Sequence, residues 1–225
     1  MDISIIVPTL DESDTIEATL TCARGPAVRE IIVVDGGSAD DTAEKAKRLA
    51  DRVVTAPRGR ATQLNAGAAI ASGDVVLFLH ADTVLPAGFD SAVASGLGDM
   101  RVVGGRFDVS LQPSSPLLRL VGTLMNQRSR VSRISTGDQA IFVRRRVFEA
   151  LGGFPAVPLM EDIAFSRMLK RAGRIACLRQ RVVTSSRRWH RDGVVRTITL
   201  MWWLRFLFWC GVSPNRLRRL YTDTR

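Results

Sequence analysis

Apolar positions along the first third of the chain follow two periods in turn. Uniform runs rich in β-branched residues stand at 3–7, 31–34 and 75–79, with a weaker run at 53–54. Between them, apolar positions recur with helical spacing over 13–22, 41–49 and 61–72. Asp11 or Ser13 is placed to cap the first helix, Asp40 precedes the second, and Gly73 closes the third. Strands apolar throughout, each followed by a helix, predict a βαβ series. This is an α/β fold with a mostly parallel central sheet and helices on both faces. Ligands of such sheets gather beyond the carboxyl ends of the strands. Those ends carry Pro8, Thr9, Asp11 and Glu12 after the first strand, Asp35, Gly36, Gly37 and Ser38 after the second, and His80, Ala81 and Asp82 after the fourth. Three acidic clusters are thus expected on one rim.

Charge divides the chain. Residues 1–112 hold 10 Lys and Arg against 16 Asp and Glu, and residues 113–225 hold 22 against 6, which together give the net charge of +10. The basic half calls for an anionic partner, either a bilayer surface or a phosphorylated substrate. No nucleic-acid-binding signature stands in the chain, so nucleic acid ranks below both. At 225 residues with 46% hydrophobic content, one domain with a smaller carboxyl-terminal lobe can bury a full core. Cys22, Cys177 and Cys210 have no paired spacing, which fits a reduced, cytoplasmic compartment. The opening MDISIIVPTLDE lacks a basic region and a long apolar core, so it reads as a first strand and not as an export signal.

Six motifs occur in order: IIVPTLDE at 5–12, VVDGGSADDT at 33–42, LFLHADT at 77–83, TGDQAIFVRR at 136–145, LMED at 159–162 and SRRW at 186–189. Together they resemble the family 2 glycosyltransferases of GT-A fold, a Rossmann-like architecture. A narrower similarity is to small bacterial stand-alone transferases, some named for arsenosugar biosynthesis. The resemblance implies a GT-A domain over 1–190, with a nucleotide-sugar half at 1–112 and an acceptor half at 113–190. A basic, aromatic helical tail follows at 191–225. It further implies a nucleotide-sugar donor, most often UDP-linked, a divalent cation (Mn²⁺ or Mg²⁺), and inverting transfer to an acceptor by a single displacement.

Pro8, Thr9 and Glu12 can line the base and ribose, and the Asp35 carboxylate can accept from a uracil imide N–H. Gly36 and Gly37 let the chain turn beside the nucleotide. Asp35 and Ser38 as local caps of a βα turn is the competing reading. Arg60, with Gln63 and Asn65, matches the polar helix face of the subfamily. Arg60 can meet a phosphate, and solvated helix polarity is the alternative. Asp82 is the first metal ligand, with Ala81 beside it in the donor site. The family usually writes two acidic residues here, but His80 takes the first place. An imidazole suits Mn²⁺ better than Mg²⁺. His190 is the other histidine at a motif end, and both also read as hydrogen-bonded structural residues.

The family pattern makes Asp162 the base and Glu161 its neighbour, against the simpler reading that both complement a helix amino terminus over 163–172, closed by Gly173. Residues 136–138 read as a loop entering a strand at 139–143, with Asp138 toward the acceptor or the transferred sugar. Arg187, Arg188 and Trp189 resemble the family's arginine and tryptophan pair, which lies over the diphosphate and acceptor. Ser185 or Ser186 stands where processive members carry Gln, which favours a single transfer. The acceptor pocket is expected in variable loops at 108–135, for an acceptor that is anionic or lipid-linked.

Residues 198–212 hold three of the four tryptophans, but the run is too short and too interrupted by Arg205 for a membrane span. Two readings stand: an anchor facing anionic lipid at the inner face of the membrane, or a helix packed on the domain or in a homodimer. The functional alternatives are a nucleotidyltransferase, or a non-catalytic nucleotide-sugar or membrane-associated module.

Overall fold

The computed structural model describes residues 1–221 apart from the side chain of Arg188; that half of the arginine pair and residues 222–225 of the tail lie outside the described residues. Strands β1 (Ile3–Thr9), β2 (Val28–Asp35), β3 (Arg52–Thr55) and β4 (Val75–Phe78) pair in parallel in the order β3-β2-β1-β4. They are crossed over by α1 (Ile16–Cys22), α2 (Thr42–Lys47) and α3 (Arg60–Ala69). Both faces of β1, β2 and β4 are covered, which is why the runs at their centres are largely apolar. Ile5, Val7, Ile31, Val33 and Leu77 enter one core, and Ile6, Ile32, Val34, Val76 and Phe78 enter the other. Helix α3 lies close on the second face. A Cβ on Gly67 would stand 2.5 Å from Ile6 Cγ2 and 2.9 Å from Val34 Cγ2.

The sheet continues past β4 with β7 (Ile141–Arg144), the strand expected at 139–143, and with three strands the hydropathy pattern did not announce, β5 (Thr83–Val84), β6 (Val102–Gln112) and β8 (Arg174–Ser185), in the order β4-β7-β6-β8-β5. β7 runs antiparallel to both neighbours, β6 and β8 are parallel, and β5 is antiparallel to β8. The long β6 was hidden by Arg106 and Asp108, a charged pair buried in mid-strand that also binds Asn126 and Arg130.

Expected bounds shift at several helices. The first begins at Ile16 and not at Ser13, because residues 11–15 form a turn: Asp11 takes φ 52° and accepts from Ala39 N, and Glu12 O accepts from the Thr15 and Ile16 amides. The second and third end at Lys47 and Ala69. The 108–135 segment is not a set of loops. It comprises the end of β6 and α5 (Pro116–Ser132), capped by Ser115 Oγ with Pro116 in the first turn. The remaining helices are α4 (Phe89–Gly96), α6 (Arg145–Ala150), α7 (Glu161–Ala172), α8 (Arg187–Asp192), α9 (Val194–Trp209) and α10 (Pro214–Leu220).

The tail helices have an inner face. Leu204 of α9 and Leu217 of α10 are fully buried with Met160 and Ile163 at the start of α7. The outer face of α9 leaves Trp202, Trp203, Phe206 and Trp209 more than half exposed. No helix among the described residues is long and apolar enough to cross a membrane.

Candidate active site

The parallel register places Thr9 beside Asp35 and leaves residues 80–82 just past the end of β4, so the three acidic clusters do share one rim. Two cavities open there, of about 350 and 520 Å³, and Glu12, Arg60, His80 and Asp82 line both. The smaller also takes in Pro8, Thr9 and Ala81. The larger takes in Asp138, Arg187 and Trp189. Most of the predicted site residues therefore converge.

Asp35 does not line either cavity. Its Oδ1 accepts from Thr9 Oγ1 (3.3 Å) and Ser38 Oγ (2.5 Å), and its Oδ2 from the Gly37 and Ser38 amides (both 3.0 Å). The carboxylate is engaged by its own turn, as the capping alternative expected. Gly37 takes φ 88°, and a Cβ on Gly36 would meet the Gln63 side chain at 3.1 Å. Gln63 lines the smaller cavity, where it acts as a brace. Its Nε2 donates to Thr9 O and Val34 O, tying the ends of β1 and β2 together. Asn65 likewise faces inward, clamping Phe154 through both its carbonyl and its amide.

Glu12 is buried and accepts from Arg187 Nη2 at 2.6 Å, which draws the carboxyl-terminal motif over the first strand end. Ser185 N donates to Asp82 O, so β8 also holds the residue 82 backbone at the rim. His80 presents Nδ1 to Asp138 Oδ1 at 3.2 Å, and its Nε2 abuts Gly137 so closely that a Cβ there would collide with the ring. Both ring nitrogens thus face the 137–139 turn, and His80 braces Asp138 instead of joining Asp82. His190 is exposed on α8 and lines neither cavity. Among the described residues no group of three His, Cys, Asp or Glu is placed to hold a metal. An all-protein cage is therefore not what these residues fit. Asp82, a partly exposed carboxylate on both cavities, does fit a hard cation that takes most of its ligands from phosphates and water.

Opposite the strand ends, α7 begins at Glu161 after Met160 in the left-handed region (φ 67°). Asp162 bridges two elements: its Oδ2 accepts from Gly137 N (2.9 Å) and its Oδ1 from Ile163 N (2.7 Å). A carboxylate has about four lone-pair sites, so each oxygen keeps one for another partner. The expected 136–138 loop is a short 3₁₀ turn, Gly137–Gln139, and β7 starts two residues later than expected. Glu161 is buried, 3.8 Å from Arg60 Nη1. Burial, and then the Asp162 charge, push its pKa up despite Arg60. For Arg60, burial opposes the charge, but Glu161, Asp138 and Asp162 outweigh it and its pKa rises. Sequence reasoning missed the wall that α9 and the end of the described chain supply, Thr197, Met201 and Tyr221, because nothing in a run of apolar residues says which face meets a cavity.

The glycosyl transferase family 2 profile matches residues 4–152. The chain belongs to that family. Its architecture is the GT-A fold. It is 33% identical over 96 residues to glucosyl-3-phosphoglycerate synthase of Mycolicibacterium paratuberculosis (37% of this chain, 29% of that protein). It is 40% identical over 91 residues to poly-beta-1,6-N-acetyl-D-glucosamine synthase of Staphylococcus aureus (37% and 22%). The matches thus span less than a third of either relative. Among solved structures, glucosyl-3-phosphoglycerate synthase from Mycobacterium tuberculosis, in complex with Mn²⁺, UDP and glucosyl-3-phosphoglycerate, superposes with TM-score 0.63 at 21% identity. The superposition covers 94% of this chain and 81% of that one. That likeness is one of fold.

Proposed function

We propose that this member of the family transfers a sugar from a nucleotide-sugar donor, UDP-linked as in several relatives, to an acceptor hydroxyl with inversion. The observation that carries the reading is the convergence of Asp82, Arg60, Arg187 and Glu161 from four distant stretches of the chain on one strand-end cavity system, with Asp162 next to Glu161 lining neither cavity but accepting from Gly137 N beside Asp138. Donor base and ribose lie along Pro8, Thr9 and Ala81. Arg60 and Arg187 meet the diphosphate, for which the guanidinium fork is suited. A divalent cation, when bound, neutralises charge on the departing diphosphate, and Asp82 is the residue that would hold it. Asp162 takes the proton of the acceptor hydroxyl. The new bond forms from that oxygen to the anomeric carbon as the bond to the diphosphate oxygen breaks, and the nucleoside diphosphate leaves with the electron pair. His80 steadies Asp138 at the sugar, and Trp189 offers a ring face to sugar or acceptor.

Thermal shifts with nucleoside diphosphates, with and without Mn²⁺, test this reading, since a ligand of the native state raises apparent stability. UDP with Mn²⁺ should stabilise the protein, and Asp82→Ala should remove the metal-dependent part. An unchanged metal response in that variant would reject Asp82 as ligand. The exposed aromatic face of α9, together with the exposed Arg216 and Arg219 of α10, supports a peripheral contact with anionic lipid as part of the same reading.

A further inference from the structure

Arg128 on α5 carries a poorly compensated charge. Its Nε and Nη2 are shielded from solvent and have no hydrogen-bond partner. Its neighbours on the helix are better matched. Arg130 donates to Asp108 and to Cys177 O, and Asn126 exchanges hydrogen bonds with Val109. Arg106 keeps one unmatched Nε but is bound to Asp108 and Asn126 O through its other nitrogens. A buried guanidinium without acceptors is costly, and folding alone gives no reason to keep one.

A second cation stands near it. Arg205 is half-buried on α9 although Trp202, Trp203 and Phe206 around it are exposed, because the preceding Leu204 docks against Met160 and Ile163 at the start of α7. Burial and then the Arg205 charge pull the Arg128 pKa down to about 10. Burial lowers that of Arg205 as well, with Asp162 and Asp138 opposing. The two guanidinium groups thus repel each other, and the carboxylates that offset them are those placed at the reaction centre.

We propose that Arg128 and Arg205 form an anion subsite beside Asp162 that holds a phosphate or carboxylate group of the acceptor. The inference rests on the transfer reading above and specifies its acceptor. An anion between the two arginines would match the orphaned N–H groups and remove their repulsion, with the geometry a guanidinium fork favours. The subsite belongs to the acceptor and not to the donor for a positional reason. Neither arginine lines the two strand-end cavities, whereas both feel Asp162, and single displacement requires the acceptor on the far side of the anomeric carbon from the diphosphate. Arg128 Nη1 is not among its shielded atoms and Arg205 is only half-buried, so an incoming group approaches through these and reaches the shielded Nε and Nη2 by a shift of the Arg128 side chain. A soluble phosphorylated or carboxylated acceptor and a lipid with an anionic headgroup share this chemistry.

The test is calorimetric titration of the full chain with UDP and Mn²⁺, and then with inorganic phosphate in their presence. In parallel, phosphatidylcholine vesicles with and without phosphatidate are titrated. Arg128→Gln and Arg205→Gln should each weaken binding of phosphate, or of phosphatidate vesicles, by roughly 10- to 100-fold, as loss of a charged hydrogen-bond partner does, while UDP affinity is unchanged. Arg128→Lys should retain part of the binding. Arg128→Met should melt no lower than the parent, because it removes an unpaired buried charge, a result that a merely structural arginine would not give. Saturable phosphate binding assigns a soluble acceptor anion, and binding to phosphatidate alone assigns a headgroup. Anion binding absent from the parent, or unchanged in both variants, overturns the subsite. Failure of UDP to bind while phosphate binding still depends on Arg128 would instead overturn the donor reading and leave the anion site standing.

Discussion

Replacing Asp162 by Asn separates the proposed chemistry of this carboxylate from its structural work. The two oxygens accept from Gly137 N and Ile163 N at 2.9 and 2.7 Å. Asn has one accepting oxygen and an amide that donates, so one of those backbone N–H groups loses its partner. An unmatched buried donor costs about 1–3 kcal/mol. For a chain of this size each kcal/mol shifts Tm by roughly 2–4 °C, so a drop of a few degrees is expected. The loss of a general base is larger, about 10²–10⁴ in rate, or roughly 3–5 kcal/mol of barrier at 1.36 kcal/mol per decade. The folded protein should remain fully populated, so the rate loss cannot come from unfolding. Release of UDP from donor in the presence of Mn²⁺ gives the rate, calorimetry with UDP gives donor affinity, and a melt gives stability. The expected pattern is a rate collapse with donor affinity preserved. A rate within about tenfold of the parent would remove Asp162 from the role of base.

Glu161→Gln should behave differently. Its raised pKa means that the stability contributed by its protonated form is full below its ordinary value near 4.5 and is lost as pH rises through the elevated folded value. The variant should therefore melt higher than the parent at pH 8, with the gain disappearing near pH 4, and a gain that grows toward acid would show the sign to be wrong. Gly137→Ala should drive the His80 ring away from the turn and so disturb Asp138 and the amide that holds Asp162. It should cost about 1–3 kcal/mol from overpacking and a disproportionate share of activity, measured by melt and by UDP release. Trp202→Ser with Trp209→Ser should abolish sedimentation with anionic liposomes, and the parent's binding should weaken with salt. Salt-independent binding, or none, would leave that face to another role.

β1, β2 and β4 were legible because both of their faces are buried and only Ser4 interrupts the runs, whereas the short β3 at the sheet edge, with no buried residue, gave only the weaker run. β6 and β8 were not, for opposite reasons. β6 carries Arg106 and Asp108 inside the protein, so its pattern looks charged. β8 carries a half-buried run at 175–178 and then three exposed polar residues, Arg179, Gln180 and Arg181, in a row, a pattern that a loop can share. In α5, exposed Leu117, Leu120 and Leu124 accompany buried Leu118 and Val121, and two apolar faces blurred the helical period. At the site, the motifs named the residues but not their partners. The Glu12–Arg187 pair joins the two ends of the domain, and the inward tie of Asp35 to its own turn is a matter of local geometry that composition does not encode. The proximity of Arg128 to Arg205 depends on how α9 docks, which no short-range pattern carries.

Turnover of the donor is the most direct test of the central claim that this cavity transfers sugar by single displacement with Asp162 as base. UDP-sugars of α configuration are incubated with the protein, Mn²⁺ and methanol as a surrogate acceptor, and the methyl glycoside, which does not mutarotate, is identified by NMR. The account predicts the β-methyl glycoside, formed by the parent and suppressed in Asp162→Asn and Asp82→Ala while Asp162→Asn still binds UDP. An α-methyl glycoside, or turnover indifferent to Asp162, would contradict it.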